Sequence, residues 1–105
     1  MNRVWLLGEV CGHVRVETVR TRNGPMKKAR VTLRVKKSTK PEVIPVTAWG
    51  GLAERVERSG IRPGQTLSVD GCLHSCLGED DNQSRVSVLE VFMSDFNIVE
   101  GEKAS

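Results

Sequence analysis

A chain of 105 residues, 38% of them hydrophobic, with Trp5, Trp49, Phe92 and Phe96 as its aromatics, holds material for one small domain and excludes a two-domain enzyme. The net charge of +3 is unevenly spread: Arg15, Arg20, Arg22, Lys27, Lys28, Arg30, Arg34, Lys36, Lys37 and Lys40 stand against Glu17 alone between residues 15 and 40, and acidic residues prevail afterwards. A polyanion partner and a solvated face are the two readings of such a block, while no stretch approaches the ~20 apolar residues of a membrane span.

The first element covers residues 4–10, where Val4, Leu6 and Val10 share one phase and Trp5 and Leu7 the other, so a strand covered on both faces is expected. For Trp5 the expectation is packing in the core or between subunits. Alternation resumes in residues 13–19, with Val14 and Val16 inward and Arg15 and Glu17 outward. Gly12 would then be the bend of one long curved strand.

Thr21-Arg22-Asn23-Gly24-Pro25 reads as a turn, because Asn and Gly accept positive φ and Pro cannot donate to a ladder. Beyond it Val31, Leu33 and Val35 alternate with Arg30, Thr32, Arg34 and Lys36, a core face backed by a basic stripe. Residues 37–41 read as a loop, and residues 43–49 as a third strand in which Pro45 argues for an edge or a bulge. The period then changes: Leu52 and Val56, four apart, predict a helix of about two turns stopped at Ser59-Gly60.

Arg62-Pro63-Gly64-Gln65 turns the chain into a fourth strand over residues 66–76, with Leu67, Val69, Gly71 and Leu73 in phase. Residues 78–84 read as a polar hairpin loop and residues 85–92 as a fifth strand. Phe96, Ile98 and Val99 add a short closing segment. The expectation is one domain over residues 1–100 with a flexible tail at 101–105. Five strands with a single helix between the third and fourth make an all-β, Greek-key barrel of the OB type; another small barrel shares the strand count, and the helix placement separates the two.

Three segments carry a family resemblance. Asn2-Arg3-Val4-Trp5-Leu6-Leu7-Gly8-Glu9-Val10 resembles the first strand of the bacterial single-stranded DNA-binding proteins. Val46-Thr47-Ala48-Trp49-Gly50-Gly51-Leu52-Ala53-Glu54 resembles that family's passage from strand to helix. Arg62-Pro63-Gly64-Gln65, followed by Val69-Asp70-Gly71-Cys72-Leu73, is similar to its basic turn and fourth strand. The resemblance implies an OB fold, homo-oligomerisation through the first strand, and sequence-tolerant binding of single strands by basic grooves and stacking aromatics. Departures accompany it. Of the family's base-stacking positions only Trp49 is aromatic here; Val43 and Gly78 stand where Trp is common. Residues 99–105 also lack the family's long linker and acidic tip, so the chain is similar as well to the shortened primosomal replication protein of the PriB type, with Asn2-Arg3 near the start and Val10-Cys11.

On its own residues, Trp49 is either a packing residue at a strand end or a base-stacking surface, and the family position favours the second. The expected nucleic-acid contacts are Trp49 with Arg15, Arg20, Arg22, Arg30, Arg34, Lys36, Lys37, Lys40 and Arg62, and the expected subunit interface is Val4, Trp5, Leu6 and Leu7. Cys72, His74 and Cys76 are possible metal ligands, with Cys11 and His13 as neighbours, yet ligands two apart on a strand have Cβ atoms ~6.5 Å apart, and the close bite of C-x-x-C is absent. Free thiols, no metal and no cofactor are therefore expected, and three cysteines without scaffold density suit a reducing, cytoplasmic setting. No nucleophile motif or acid–histidine pairing points to an enzyme. The expected partners are single-stranded DNA or RNA, a second copy in a dimer or tetramer, and replication or primosome proteins, with no membrane; the alternatives are a primosome accessory factor acting mainly through protein partners and a protein-interaction module without nucleic-acid affinity.

Overall fold

Alternating apolar residues draw the chain into strands almost throughout. The computed structural model describes residues 1–36, 40–79, 82 and 85–99. In chain order the strands are β1 (Val4–Val10), β2 (Arg15–Thr21), β3 (Gly24–Val35), β4 (Glu42–Trp49), β5 (Thr66–Glu79) and β6 (Arg85–Ile98), with one helix, α1 (Gly51–Ser59), between β4 and β5. The sheet order β1-β5-β6-β4-β3 returns to β1 through the pairs Glu9↔Arg34 and Val10↔Leu33, which closes a five-stranded ring of the expected OB type.

Six strands appear where five were expected, because the long first strand is divided. Gly12 adopts φ 79°, a conformation open to Gly and costly for most residues, and the ladder stops there. β1 meets the C-terminal end of β3. β2 pairs with its N-terminal half, from Arg15↔Arg30 to Thr21↔Gly24. The turn between them is made by Arg22 and Asn23, and the Thr21 hydroxyl accepts from the Asn23 N–H at 3.2 Å.

Inside the ring, Val10, Val31, Leu33, Val46, Leu67 and Val69 are essentially inaccessible. These are the in-phase positions of their strands, so the period-two pattern and the burial agree. Pro45 pairs with Thr32 of β3, and the parallel pairing of β4 with β6 begins only at Val46↔Val91. At Pro45 the strand is therefore an edge on one side, where a missing N–H leaves no gap in a ladder. Gly8 lies where β1 closes on β3: a Cβ there would stand 3.0 Å from the Arg34 carbonyl oxygen.

The helix plugs one end of the barrel with Ala53 and Val56, both buried, and Leu52 packs beside them. Gly60 ends it in the left-handed conformation, its N–H donating to the Glu57 carbonyl. Arg55 ties the helix to β6: its guanidinium donates to the Phe96 carbonyl at 2.9 Å, lies 2.8 Å from Asp95 Oδ1, and sits 4.5 Å above the Phe96 ring.

β5 and β6 form a longer hairpin than expected. Gly78 and Glu79 are strand residues paired with Val86 and Arg85, and Phe96 and Ile98 belong to β6 itself instead of forming a separate segment. A bulge falls between Asp70 and Gly71; a Cβ on Gly71 would collide with the Phe92 carbonyl oxygen. Of the expected loop over residues 37–41, residues 37–39 lie outside the described residues, as does the tail at residues 101–105. Among those described, no helix is long and apolar enough to cross a membrane.

Candidate functional site

The outward phase of β3 carries Lys28, Arg30 and Arg34, and cross-strand register decides what each one faces. Lys28 pairs with Trp49, and Arg30 with Thr47 of β4. Thr47 in turn stands beside Phe92 of β6, and Phe92 pairs with Cys72 of β5. Trp49, Phe92 and His74 thus meet on one face of the barrel. The rings of Trp49 and Phe92 are 6.3 Å apart, edge to face at 69°. His74 lies nearly parallel to Phe92, 4.4 Å between centroids and 12° between planes. At the other end, Lys28 Nζ stands 5.3 Å from the Trp49 ring centre, within cation–π range. Trp49 and Phe92 are half-buried and His74 is exposed.

Two basic hollows open on the barrel surface, the first sharing Lys28 with this row. One, of about 350 Å³, is bordered by Arg15, Lys28 and Arg30 with Val16 and Glu17. Arg30 also approaches Glu90 at 4.0 Å, and its Nε is buried with no hydrogen-bond partner among the described residues. The second hollow, about 720 Å³, is bordered by Arg34, Lys36 and Lys40 together with Leu7, Glu9 and Pro41. A phosphate in either would meet several cations with one carboxylate close by.

Other expected contact residues fall elsewhere. Arg20, paired with Pro25, and Arg22, in the β2–β3 turn, are exposed at the far end of that hairpin. Arg62 is exposed in the turn after α1, where its backbone N–H donates to Gln65 Oε1 at 2.8 Å. Lys37 lies outside the described residues. Lys27, part of the same basic block, is held by Glu57 at 2.8 Å, and that hydrogen bond raises its pKa above the ordinary lysine value.

On the β1 side the four expected interface residues divide by phase. Val4 and Leu6 pack against the core, whereas Trp5 is 73% and Leu7 56% exposed. A core position for Trp5 is thereby overturned: within the chain, β1 is covered on one face only. The indole is fixed in place, its Nε1 donating to Ser68 Oγ at 2.9 Å, and Arg3 forms a two-pronged pair with Asp70 next to it. The Arg3 hydrogen bond holds the Asp70 carboxyl below the usual carboxylate range. From Val4 to Gly8, β1 pairs with β5 on one edge and, among the described residues, with nothing on the other. Cys11 and Cys72 are free, half-buried thiols.

Sequence reasoning placed Phe92 in the fifth strand but gave it no part in the site, and it weighed His74 only as an unsuitable metal ligand. Their partnership depends on one parallel and one antiparallel register, which no local spacing encodes. The local signal was Phe92 itself, an aromatic in the phase opposite the buried Val91 and Met93 of its strand.

Comparisons with known proteins agree with this architecture. The sequence model of the single-strand binding protein family matches residues 1–99. No curated protein matches the sequence. Among solved structures, a Plasmodium falciparum SSB in complex with single-stranded DNA superposes with a TM-score of 0.76 at 18% identity, covering 95% of this chain and 96% of that one. The S. cerevisiae mitochondrial single-stranded DNA-binding protein Rim1 superposes with a TM-score of 0.71 at 12% identity, over 92% and 93% of the two chains. At such identities the likeness speaks for the fold.

Proposed function

Since this chain belongs to the single-strand binding protein family, we propose that it binds single-stranded DNA without sequence preference, holding phosphates in the two basic hollows and stacking a base on Trp49. The observation that carries this reading is the placement of Trp49 on an outward face between Lys28 and Phe92, beside a hollow into which Arg15, Lys28 and Arg30 converge. The cations neutralise phosphates and release condensed counterions, which supplies affinity and makes it depend on salt. A ring face accepts any base, because every base has a π-face, so stacking adds energy without reading sequence. Such binding serves replication, repair or replication restart, and RNA offers the same phosphates and base faces.

Self-association belongs to the same proposal. Among the described residues β1 leaves an unpaired edge from Val4 to Gly8 and an exposed Trp5–Leu7 face, and a second copy of β1 satisfies both at once by continuing the sheet. We take the assembly to be a symmetric dimer, with a tetramer as its further association.

Titration of labelled dT and rU oligomers at two salt concentrations tests the reading. Binding to dT that weakens steeply with salt is the expected result. Absent binding, or binding indifferent to salt, overturns it and favours a protein-interaction module.

A further inference from the structure

Resting on the single-strand-binding reading, we propose that His74 is a second base-stacking surface, carried on Phe92 and extending the platform of Trp49 from β4 across β6 to β5. The cluster Cys72-Leu73-His74-Ser75-Cys76 puts His74 on the outward phase of β5, where it pairs with Glu90. No hydrogen bond fixes the imidazole to another described residue. What orients it is Phe92, on whose ring it lies parallel at 4.4 Å.

Three physical points give this arrangement a use. A flat ring backed by another ring on one side, in a residue that is itself exposed, offers a base a surface whose rotamer is already restricted, so less side-chain freedom is lost on binding. The row Trp49–Phe92–His74 is continuous, 6.3 Å and then 4.4 Å between successive centroids. A strand stacked on Trp49 therefore passes His74 as it leaves. Finally, the charge near His74 disfavours a phosphate there: the residue directly opposite it is Glu90, whose carboxylate faces Arg30 at 4.0 Å. The phosphates belong on the β3 side and the base on the imidazole. Phe92 acts as a positioning residue, since His74 covers its ring.

The test uses the full chain, an oligo-dT of about 20 nucleotides at two salt concentrations, and the variants His74→Ala, His74→Phe and Trp49→Ala. Removing one stacking ring weakens binding about 5- to 150-fold. His74→Ala is expected to show such a loss with an unchanged salt slope, and His74→Phe, which keeps a ring and removes any charge, to restore the affinity. An unaffected His74→Ala overturns the inference. So does equal weakening in His74→Ala and His74→Phe with a slope smaller by about 0.7, which marks a cation on a phosphate. A wild-type chain that fails to bind dT overturns both this inference and the function proposed above, whereas weakening in Trp49→Ala alone overturns only the role of His74.

Discussion

The two tryptophans of the chain occupy opposite circumstances. Trp49 is half-buried, met edge-on by Phe92 and approached by Lys28, so a cation and a second ring border it. Trp5 is 73% exposed, its one polar atom satisfied by Ser68, and it lies on a strand with a free edge. Both sit in strands rich in aliphatic residues, and neither local pattern separates them. The difference lies in what the neighbouring strands contribute: β3 sets Lys28 against Trp49, while β5 offers Trp5 a hydroxyl and, with Arg3, an ion pair. The first setting suits a base over a phosphate backbone and the second a copy of the same strand.

The largest test of that contrast falls on assembly. In the proposed dimer, replacing both Trp5 and Leu7 with Asp puts two charges into a buried apolar seam, so light scattering at micromolar concentration should give the monomer mass where the wild type gives twice that or more. A wild-type monomer would remove the role assigned to Trp5.

Next in size is Trp49→Ala, expected to cost about 1 to 3 kcal/mol of oligo-dT affinity with little change in salt slope. Its stability loss should fall below the roughly 3 to 5 kcal/mol of a core Trp→Ala, as measured by thermal melting on the same preparation. In a Trp5→Phe background, added oligonucleotide should quench the remaining indole; in Trp49→Phe it should not. A large melting shift with unchanged affinity would return Trp49 to the core.

A smaller effect is expected from Arg34→Ala with Lys36→Ala, which empties most of the charge from the larger hollow. Binding to poly-dT and poly-dA should weaken alike, and the salt slope should flatten by about 0.7 for each phosphate no longer neutralised. Unchanged binding would make that hollow a solvated surface.

These expectations show how much was legible beforehand. Val31, Leu33 and Val35 against Arg30, Arg34 and Lys36 mark β3 as half core and half basic, because a period of two is a property of the strand itself. The helix was equally plain, since Leu52 and Val56 break that period. The division at Gly12 was not, for whether a bend interrupts pairing depends on where β3 runs. Gly78 and Glu79 look like loop residues and become strand because β6 continues opposite them. At the site, the position of Trp49 was readable, whereas Phe92 and His74 join it only through the bulge and the parallel β4–β6 pairing. Lys27 counted as one more cation in the stripe until the fold brought Glu57 to it.

The smallest effect concerns acid. The Asp95 carboxyl is held below the usual range by hydrogen bonds from Arg55 and from the Phe96 N–H, and Asp70 by Arg3. A lowered folded-state pKa stabilises the fold above the unfolded carboxylate value of about 4, and that contribution is lost as pH falls through the folded value. Melting temperature should therefore respond little to these groups between pH 7 and 5 and decline below about 4. Asp95→Asn should blunt the decline; an identical profile would show the pair to be fully screened by solvent.

Closure of the barrel also sets an order on synthesis. β1 finds its main partner only where Val4 meets Gly71 and Glu9 meets Thr66, about 60 residues further along the chain. At a translation rate of roughly 5 to 20 residues per second, the apolar strand bearing Trp5 and Leu7 waits some 3 to 12 seconds outside the ribosome without β5. During that interval it is a sticky, strand-forming segment on a tethered chain. In the proposed dimer, two ribosomes on one message would bring two such segments together before either barrel is complete, and the β1 edges would meet before the domains fold.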